Sequence, residues 1–260
     1  ADSLQYNLLN TYTVNFTSGL TTSGGHTFKR GNVTLNVSSP HTSSSIFRVA
    51  DAATDNAVVT LTTGNFTVNN ALFIGNASGS IGTLNVNDAD ANFVMGLSTG
   101  LVAVGLGSTG AINLTNGGEL DSAANIIVGN NSVSSGSVLV SGINANLVRS
   151  FLRTTGTGDN LTIGLSGDGR LDVAAGGIVS LGGSAIIANS TGSTGTVSIT
   201  GQPTVSTPST LEAIDTDSDI TVGLLGTGTL TIADGGRLYA NRDLFIAPQS
   251  GSSGSLSIGG

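Results

Sequence analysis

Apolar and polar residues alternate in short runs along most of this chain, and many of the runs begin with glycine. The recurring pattern is glycine, any residue, an aliphatic residue, any residue and a second aliphatic residue. An apolar residue at every second position is typical of a strand with one buried face. The pattern begins at seven glycines: Gly82, Gly110, Gly136, Gly169, Gly195, Gly228 and Gly254. Two degenerate copies, Gly31–Leu35 and Ala57–Leu61, precede them, so nine copies are predicted in all.

The spacing between the copies alternates between two lengths. From Gly110 onward the steps are 26, 33, 26, 33 and 26 residues, so a two-copy unit of 59 residues repeats. The pairs Val104-Gly105, Ile163-Gly164 and Val222-Gly223 follow the same 59-residue period. A fixed period of this kind indicates a repeat architecture, in which stacked units bury a continuous core.

Each copy has room for about three short strands separated by glycine, asparagine or serine corners. In the copy that starts at Gly228, strands are predicted over Thr229–Ile232, Arg237–Tyr239 and Asp243–Ala247. Three strands per turn is the layout of a parallel β-helix, in which each strand pairs with its equivalents in the neighbouring coils. The predicted fold class is therefore all-β, a parallel β-helix (β-solenoid) of about nine coils of three short strands. Nine coils give a rod of roughly 43 Å, since neighbouring strands lie ~4.8 Å apart.

Two regions are predicted along the chain. Residues 1–30 form an N-terminal strand or cap segment, because Thr11–Phe16 alternates like a strand without a preceding glycine pattern. Residues 31–260 form the β-solenoid, with the 59-residue two-coil repeat in residues 102–260.

Composition narrows the class of protein. Charged residues are 9% of the chain, the net charge is −8 and Lys29 is the only lysine, so no basic surface for nucleic acid is expected. No run is apolar enough for a membrane span. The absence of cysteine and the start at Ala1-Asp2-Ser3 favour an exported, signal-cleaved microbial protein, although a trimmed chain would begin in the same way. A secreted, extracellular or cell-surface location is therefore expected.

The copy over Gly228–Gly254 combines Gly228-Thr-Leu-Thr-Ile232, the Gly235-Gly236 pair, an Asp243-led strand and a Gly-Ser-Ser-Gly turn. It resembles the repeat shared by type V secretion passengers (autotransporters) and PEP-CTERM-associated exported proteins, and the resemblance covers about residues 57–260. It implies a right-handed β-helix outside the cell. It brings no catalytic residue, because the family motif consists of core and corner positions. The outer-membrane barrel of a complete autotransporter is not part of this sequence.

The 33-residue copies carry extra residues that are predicted to form loops over Ile143–Asn160 and Gln202–Asp219. These loops lie two coils apart, so both are expected to emerge from the same side of the rod. Arg149 and Arg153 in the lower loop and Glu212 in the upper loop are the predicted contact residues. They would pair with each other or with a neighbouring rod; the alternative is that they are solvated charges of little energetic consequence.

The sequence offers little catalytic chemistry. Asp215, Asp217 and Asp219 alternate, so an extended chain would present three carboxylates on one side, an arrangement that could hold a Ca²⁺ ion. The distal Glu and tight glycine turn of an EF-hand loop are missing, so neither a metal nor another cofactor is assigned. His26 and His41 are the only histidines, and no nucleophile motif accompanies them. We therefore expect no enzyme activity.

Both ends of the predicted solenoid expose strand edges. Tyr12, Val14 and Phe16 near the start, and Leu256 and Ile258 in a coil that begins at Gly254, are the predicted assembly residues. Because an uncovered strand edge pairs readily with another chain, copies are expected to stack head to tail. The alternative is that the unfinished coil is a boundary cut through a longer passenger.

The functional prediction is a secreted structural subunit of an extracellular filament at a microbial surface or in a matrix. One alternative is an adhesive passenger fragment whose loops bind cell-surface glycans or proteins. A further alternative is a polysaccharide-cleaving β-helix enzyme, since some such enzymes share this fold.

Overall fold

The structure is a computed structural model that describes residues 4–204 and 207–260. Strands and short turns account for nearly all of these residues, as the alternating pattern predicts. The strands are β1 Leu4–Phe16, β2 Thr21–Thr22, β3 His26–Val37, β4 His41–Ser43, β5 Phe47–Val49, β6 Asn56–Val68, β7 Ala71–Ile74, β8 Ile81–Asn87, β9 Ala91–Met95, β10 Leu101–Val104, β11 Thr109–Thr115, β12 Glu119–Ser122, β13 Asn125–Val128, β14 Ser135–Ser141, β15 Phe151–Thr154, β16 Leu161–Ile163, β17 Asp168–Ala174, β18 Ile178–Leu181, β19 Ala185–Ile187, β20 Thr194–Thr200, β21 Thr210–Ala213, β22 Ile220–Val222, β23 Thr227–Ala233, β24 Arg237–Ala240, β25 Leu244–Ile246 and β26 Ser253–Ile258.

The strands pair in parallel with their equivalents in adjacent coils and form three faces. Sheet 1 contains Thr11–Phe16 of β1, Asn32–Val37 of β3, Asn56–Leu61 of β6, β8, β11, β14, β17, β20, β23 and β26. Sheet 2 contains β2, β4, Gly64–Val68 of β6, β9, β12, β15, β18, β21 and β24. Sheet 3 contains Leu4–Tyr6 of β1, His26–Phe28 of β3, β5, β7, β10, β13, β16, β19, β22 and β25. The predicted all-β parallel β-helix is confirmed.

The core consists of columns of equivalent side chains that run along the coils. Ile112, Val138 and Leu171 occupy one register position in three consecutive coils, and all are buried. Alternate residues point outward because side chains change face at every position of a strand. The burial pattern of β11, β14 and β17 alternates accordingly, which fixes the register: a slip by one residue would expose the whole apolar set.

The glycine that begins each pattern is needed where one coil approaches the next. A Cβ on Gly136 would lie 2.2 Å from the carbonyl oxygen of Val104, a distance that real Cβ atoms essentially never show. The corner glycine Gly105 has a φ of +68°, and a Cβ there would lie 2.4 Å from the carbonyl oxygen of Ser135. The 59-residue period in glycine therefore reflects close backbone contacts rather than function.

The N-terminal segment continues the same pairing. Thr11–Phe16 pairs residue for residue with Asn32–Val37, and Leu4–Tyr6 pairs with His26–Phe28. Strand β3 itself runs across the boundary predicted after residue 30. Residues 4–22 thus form a first coil in register with the rest, and the sheets continue without a break across the boundary predicted after residue 30.

Candidate functional site

The 33-residue coils place their extra residues on both sides of sheet 2. The prediction of one uninterrupted loop over Ile143–Asn160 is wrong, because β15 lies inside that range and its Leu152 is fully buried. The same correction applies to Gln202–Asp219, where β21 and the buried Leu211 lie. The sequence did not predict β15 and β21, because each strand is only four residues long and does not follow the glycine pattern. We call residues 142–150 loop A and residues 201–209 loop B; residues 205–206 of loop B lie outside the described residues.

A buried serine closes each loop at its base. The backbone N–H of Ser150 donates to the carbonyl oxygen of Gly142 at 3.0 Å, and its hydroxyl donates to that of Ser141 at 2.7 Å. Ser209 makes the equivalent bonds to Gly201 at 3.0 Å and Thr200 at 2.7 Å. Ser150 and Ser209 are 59 residues apart, so the period contained a signal for these closures that the sequence interpretation did not use.

Loop A is internally fixed and has an apolar tip. The side-chain oxygen of Asn144 accepts hydrogen bonds from the N–H groups of Asn146 and Val148, both at 2.9 Å. Leu147 lies between them with a φ of +65°, a conformation that costs an L-residue energy, and its side chain is 76% exposed. The loop therefore presents an aliphatic side chain to solvent on a hydrogen-bonded, strained backbone.

Arg149 joins loop A to loop B. Its Nε donates to the carbonyl oxygen of Gly176 at 2.6 Å, and its Nη2 donates to that of Pro208. Burial lowers the pKa of Arg149, while the charge of Glu212 opposes that shift. Arg149 of the first extended coil therefore contacts the second through the backbone carbonyl of Pro208 and not through a carboxylate.

The other two predicted contact residues lie on strands of sheet 2. Arg153 and Glu212 both stand in register with Ser180, so one complete coil separates them. The guanidinium of Arg153 instead lies 2.8 Å from Oδ1 of Asp121 and 5.3 Å from the centroid of the Phe151 ring. Arg153 therefore pairs with the coil on its N-terminal side.

A pair of carboxylates on β12 is the nearest approach to acid–base chemistry, and it was missed by the sequence interpretation. Burial raises the pKa of Glu119, and the neighbouring charge of Asp121 raises it further, while Arg153 lowers it. Asp121, however, is engaged by Arg153 and by the side-chain amide of Asn92 at 3.3 Å. The arrangement works as an ion pair between coils and lacks a free second carboxylate for catalysis.

The three alternating aspartates do not converge. Both oxygens of Asp219 accept hydrogen bonds from Arg242, at 2.9 and 2.5 Å, which raises the pKa of that guanidinium. Asp217 is almost fully exposed, and Asp215 accepts from the N–H of Thr216. Across residues 4–204 and 207–260, no three His, Cys, Asp or Glu side chains come together as metal ligands would. In this arrangement Asp219 binds Arg242 of the next coil.

The two end faces uncover the apolar columns of the core. Ile258 is 73% exposed and Leu256 is half-buried, whereas Leu230, the equivalent of Leu256 one coil earlier, is fully buried. Leu244 and Ile246 of sheet 3 are exposed at the same end. At the opposite end the partly buried side chains are those of Tyr6, Tyr12, Val14 and Phe16. The predicted assembly residues thus lie at opposite ends of the rod.

The buried hydroxyl of Tyr12 has no hydrogen-bond partner among the described residues. Burial and the neighbouring Tyr6 raise its pKa to about 12, so the phenol is neutral at ordinary pH. An unsatisfied buried hydroxyl is costly, and this one lies in the strand at the edge of sheet 1.

The three sheets do not contain the same number of strands. Within the described residues, sheets 1 and 3 have ten strands each and sheet 2 has nine. Sheet 2 ends at β24, whereas sheets 1 and 3 each continue by one more strand, β26 and β25. The end face formed by β24, β25 and β26 is therefore stepped.

The described residues include no helix long and apolar enough to cross a membrane. No protein-family model matches the chain, and no curated protein matches it. Among solved structures, the crystal structure of the TibC-catalysed hyper-glycosylated TibA55-350 fragment is similar with 17% identity and a TM-score of 0.33. That alignment covers 99% of this chain and 94% of the fragment. The function of this chain therefore has to be inferred from its own residues.

Proposed function

We propose that this chain is a non-enzymatic structural protein of a microbial surface or extracellular matrix, whose copies stack head to tail into a filament. The observation that carries the proposal is the match between the end faces. The same columns of inward side chains in sheets 1 and 3 are uncovered at both ends. The side chains at one end of a copy would therefore cover the equivalent side chains at the other end of the next copy.

Continuing the columns gives a definite register for sheet 1. Following the column from Leu256 back through the coils leads to Tyr12, and the column from Ile258 leads to Val14. In a stack, Tyr12 of one copy would therefore cover Leu256 of another, and Val14 would cover Ile258. The backbone N–H and C=O groups of the two edge strands would pair as they do within the solenoid.

The register of sheet 3 at the joint is obtained in the same way. Its two inward columns lead from Leu244 back to Leu4 and from Ile246 back to Tyr6. Leu4 and Tyr6 of one copy would thus cover Leu244 and Ile246 of another. Apolar side chains that are exposed in one copy would be buried at every joint, which favours association.

The unequal strand numbers set the distance between copies. Continuous sheets 1 and 3 require a shift of ten strand spacings, or an axial rise of ~48 Å per copy. Sheet 2 then lacks one strand at each joint, between β24 and β2 of the next copy. A shift of nine spacings would close sheet 2 but would place two strands of sheet 1 in the same position.

Such a contact joins unlike surfaces. The first coil of one copy would cover the last coil of another, so each added copy would leave a new free end of each kind. A heterologous contact that does not close on itself generates a filament. This topology supports a filament rather than a dimer.

A non-enzymatic role has support from the outward surface. The outward residues of β20, β23 and β26 are Thr and Ser, with Ala233 at the end of β23, and they include no carboxylate or imidazole. On sheet 2 the guanidinium of Arg153 is engaged with the carboxylate of Asp121. The exported location rests on the absence of cysteine and on the resemblance of the repeat to exported proteins.

The test compares two substitutions on one strand. Val14→Asp places a carboxylate in the proposed joint, whereas Thr13→Asp places it on the outward face of the same strand. Purified wild-type protein and Thr13→Asp should form filaments in electron micrographs and sediment as polymers; Val14→Asp should stay monomeric and folded. Wild-type protein that remains monomeric at high concentration, or Val14→Asp filaments of normal length, would contradict the proposal.

Ile258→Asp with Ser257→Asp as its control repeats the test at the other end. Ile258 is 73% exposed in a single copy, so this substitution leaves the isolated fold almost unchanged. A mixture of Val14→Asp and Ile258→Asp should form dimers, since one intact end of each kind remains. A mixture that stays monomeric would contradict the assigned pairing of the two ends.

One observation favours adhesion as a second function. Loop A holds the exposed Leu147 in a strained conformation, and strain of this kind is common at binding sites. Beads coated with wild-type protein should adhere to cell layers better than beads coated with Leu147→Gly. Equal adherence would remove loop A as the adhesive element.

A further inference from the structure

The only two histidines of the chain meet inside the N-terminal coils. His26 on β3 and His41 on β4 are fully buried, and their Nε2 atoms lie 3.3 Å apart. They are 15 residues apart in sequence, and the path from sheet 3 through sheet 1 to sheet 2 brings them together. The contact requires one imidazole to donate and the other to accept.

The surroundings of this pair are almost entirely aromatic. Rings within about 6.5 Å between centroids are those of Tyr6, Phe16, Phe28, Phe47 and Phe66. The Tyr6 hydroxyl lies 3.3 Å from Nδ1 of His26, and the Thr22 hydroxyl lies 3.4 Å from its Nε2. Nδ1 of His41 has no partner among the described residues.

No carboxylate among the described residues faces the pair. The titratable side chains packed near it are the phenols of Tyr6 and Tyr12, and no carboxylate of the described residues contacts either imidazole. The cations of the same strands, Lys29, Arg30 and Arg48, occupy outward positions. A charged imidazole here would therefore be buried without a counter-ion, which is strongly unfavourable.

We propose that the His26–His41 pair is an acid-sensitive site that opens the N-terminal coils when it takes up a proton. For its effect on assembly, this inference rests on the proposed filament, because the same coils form the N-terminal end face. In the neutral pair each imidazole carries one N–H, and one Nε2–H donates to the other Nε2. A proton enters either at the accepting Nε2, which places two N–H groups against each other, or at the unprotonated Nδ1 of the donating imidazole. Both routes leave a positive charge buried without a carboxylate.

The direction of the pH dependence follows from the two states. Burial, and then the charge of His41, lowers the pKa of His26 from 6.5 to about 4, and burial lowers the pKa of His41 as well. The opened coils bind the proton from about pH 6.5 downward, whereas the closed coils resist it until about pH 4. The contribution of this site to stability is therefore complete above pH 6.5 and is lost as the pH falls toward 4. At pH 4.5 the opening equilibrium should rise on the order of 100-fold from His26 alone.

Opening would reach the proposed joint directly. The ring of Phe16 lies 4.2 Å from that of His41 between centroids, and Tyr6 touches His26 through its hydroxyl. Phe16 belongs to the edge strand of sheet 1 and Tyr6 to that of sheet 3. Loss of the histidine contact would release both strands that pair with the next copy, so acid should separate the filament at its joints.

Hydrogen exchange followed by mass spectrometry tests the site in single copies. The Ile258→Asp variant keeps the protein monomeric through a change at the end farthest from the histidines. At pH 4.5 compared with pH 7.5, after correction for intrinsic exchange, protection of residues 4–49 should fall on the order of 100-fold. Residues 168–200 serve as the internal control for general acid effects and should change little. Equal changes in both regions, or none in residues 4–49, would overturn the proposal.

The double substitution His26→Phe and His41→Phe removes the titration while keeping aromatic volume. Its N-terminal protection should no longer depend on pH between 7.5 and 4.5; an unchanged 100-fold loss would overturn the assignment to these residues. Should the double variant not fold, the wild-type comparison of the two regions still decides the matter.

Electron microscopy at the two pH values tests the link to assembly. Filaments should disappear at pH 4.5 and return at pH 7.5, and filaments that persist at pH 4.5 would overturn the link. Absence of filaments at both pH values would remove the proposed function, whereas the exchange result would stand by itself.

Discussion

The first coils and the later coils of this solenoid fill the same space with different side chains. In the later coils the core is aliphatic, the corners are glycines and the strands are short, as in β17, β18 and β19. In the first coils the core holds Phe28, Phe47, Phe66 and the two histidines, and β1, β3 and β6 run 12 or 13 residues across corners. The later coils therefore repeat one strand arrangement with an aliphatic core, whereas the first coils have an aromatic core and strands that continue across the corners.

The largest expected effect comes from removing one of those rings. Phe47 is fully buried and packs against Phe28, Phe66 and Phe93 at centroid distances of 5.0–5.2 Å. Phe47→Ala should lower the free energy of unfolding by about 3–5 kcal/mol. Hydrogen exchange should place the loss in residues 4–95, because each coil contacts only its neighbours. Leu171→Ala is the matched change in the aliphatic region. A loss of exchange protection in residues 4–95 of that variant would contradict the separation of the two regions.

A smaller effect is expected from a corner glycine of the regular region. Gly105→Ala would add a methyl group 2.4 Å from the carbonyl oxygen of Ser135, at a φ of +68°. We expect a loss of about 2–4 kcal/mol from crowding and backbone strain, measured by denaturant unfolding. Gly192 has a similar φ of +82° with no heavy atom within 4 Å, so Gly192→Ala should cost only about 1–2 kcal/mol. Equal losses of stability in the two variants would show that the positive φ, and not the close contact with the neighbouring coil, requires glycine at position 105.

The smallest effect concerns the contact between the extended coils. Arg149→Ala should cost about 1–3 kcal/mol, because two buried carbonyl groups lose a charged donor. The matched control is Arg170, whose ion pair with Asp172 is largely exposed, so that Arg170→Ala should cost no more than about 1 kcal/mol. Thermal unfolding in low and high salt measures both. A larger loss for Arg170→Ala would contradict the assigned role of Arg149.

Much of the regular region could be predicted from the sequence, because its determinants are local. A glycine followed by two inward aliphatic residues fixes a strand, a corner and a register within five positions. The copy that begins at Gly228 accordingly has strands β23, β24 and β25 where its pattern predicts them. The 59-residue period predicts which coils are extended.

What could not be predicted depends on contacts between distant residues. The strands inside Ile143–Asn160 and Gln202–Asp219 are recognisable only through Leu152 and Leu211, and their closing serines act through backbone groups of neighbouring coils. The first coil lacks the glycine pattern, so its register with Asn32–Val37 appears only once the sheet is formed. The contact of His26 with His41 likewise depends on the length of the path between sheets 3 and 2.

The axial rise of the filament tests the central claim most directly. Helical reconstruction from electron micrographs of the wild-type protein should give ~48 Å per copy, ten strand spacings, with sheets 1 and 3 continuous and one strand missing from sheet 2 at each joint. A rise of ~43 Å, nine spacings, would contradict the assigned register. Protein that stays monomeric would contradict end-to-end assembly altogether.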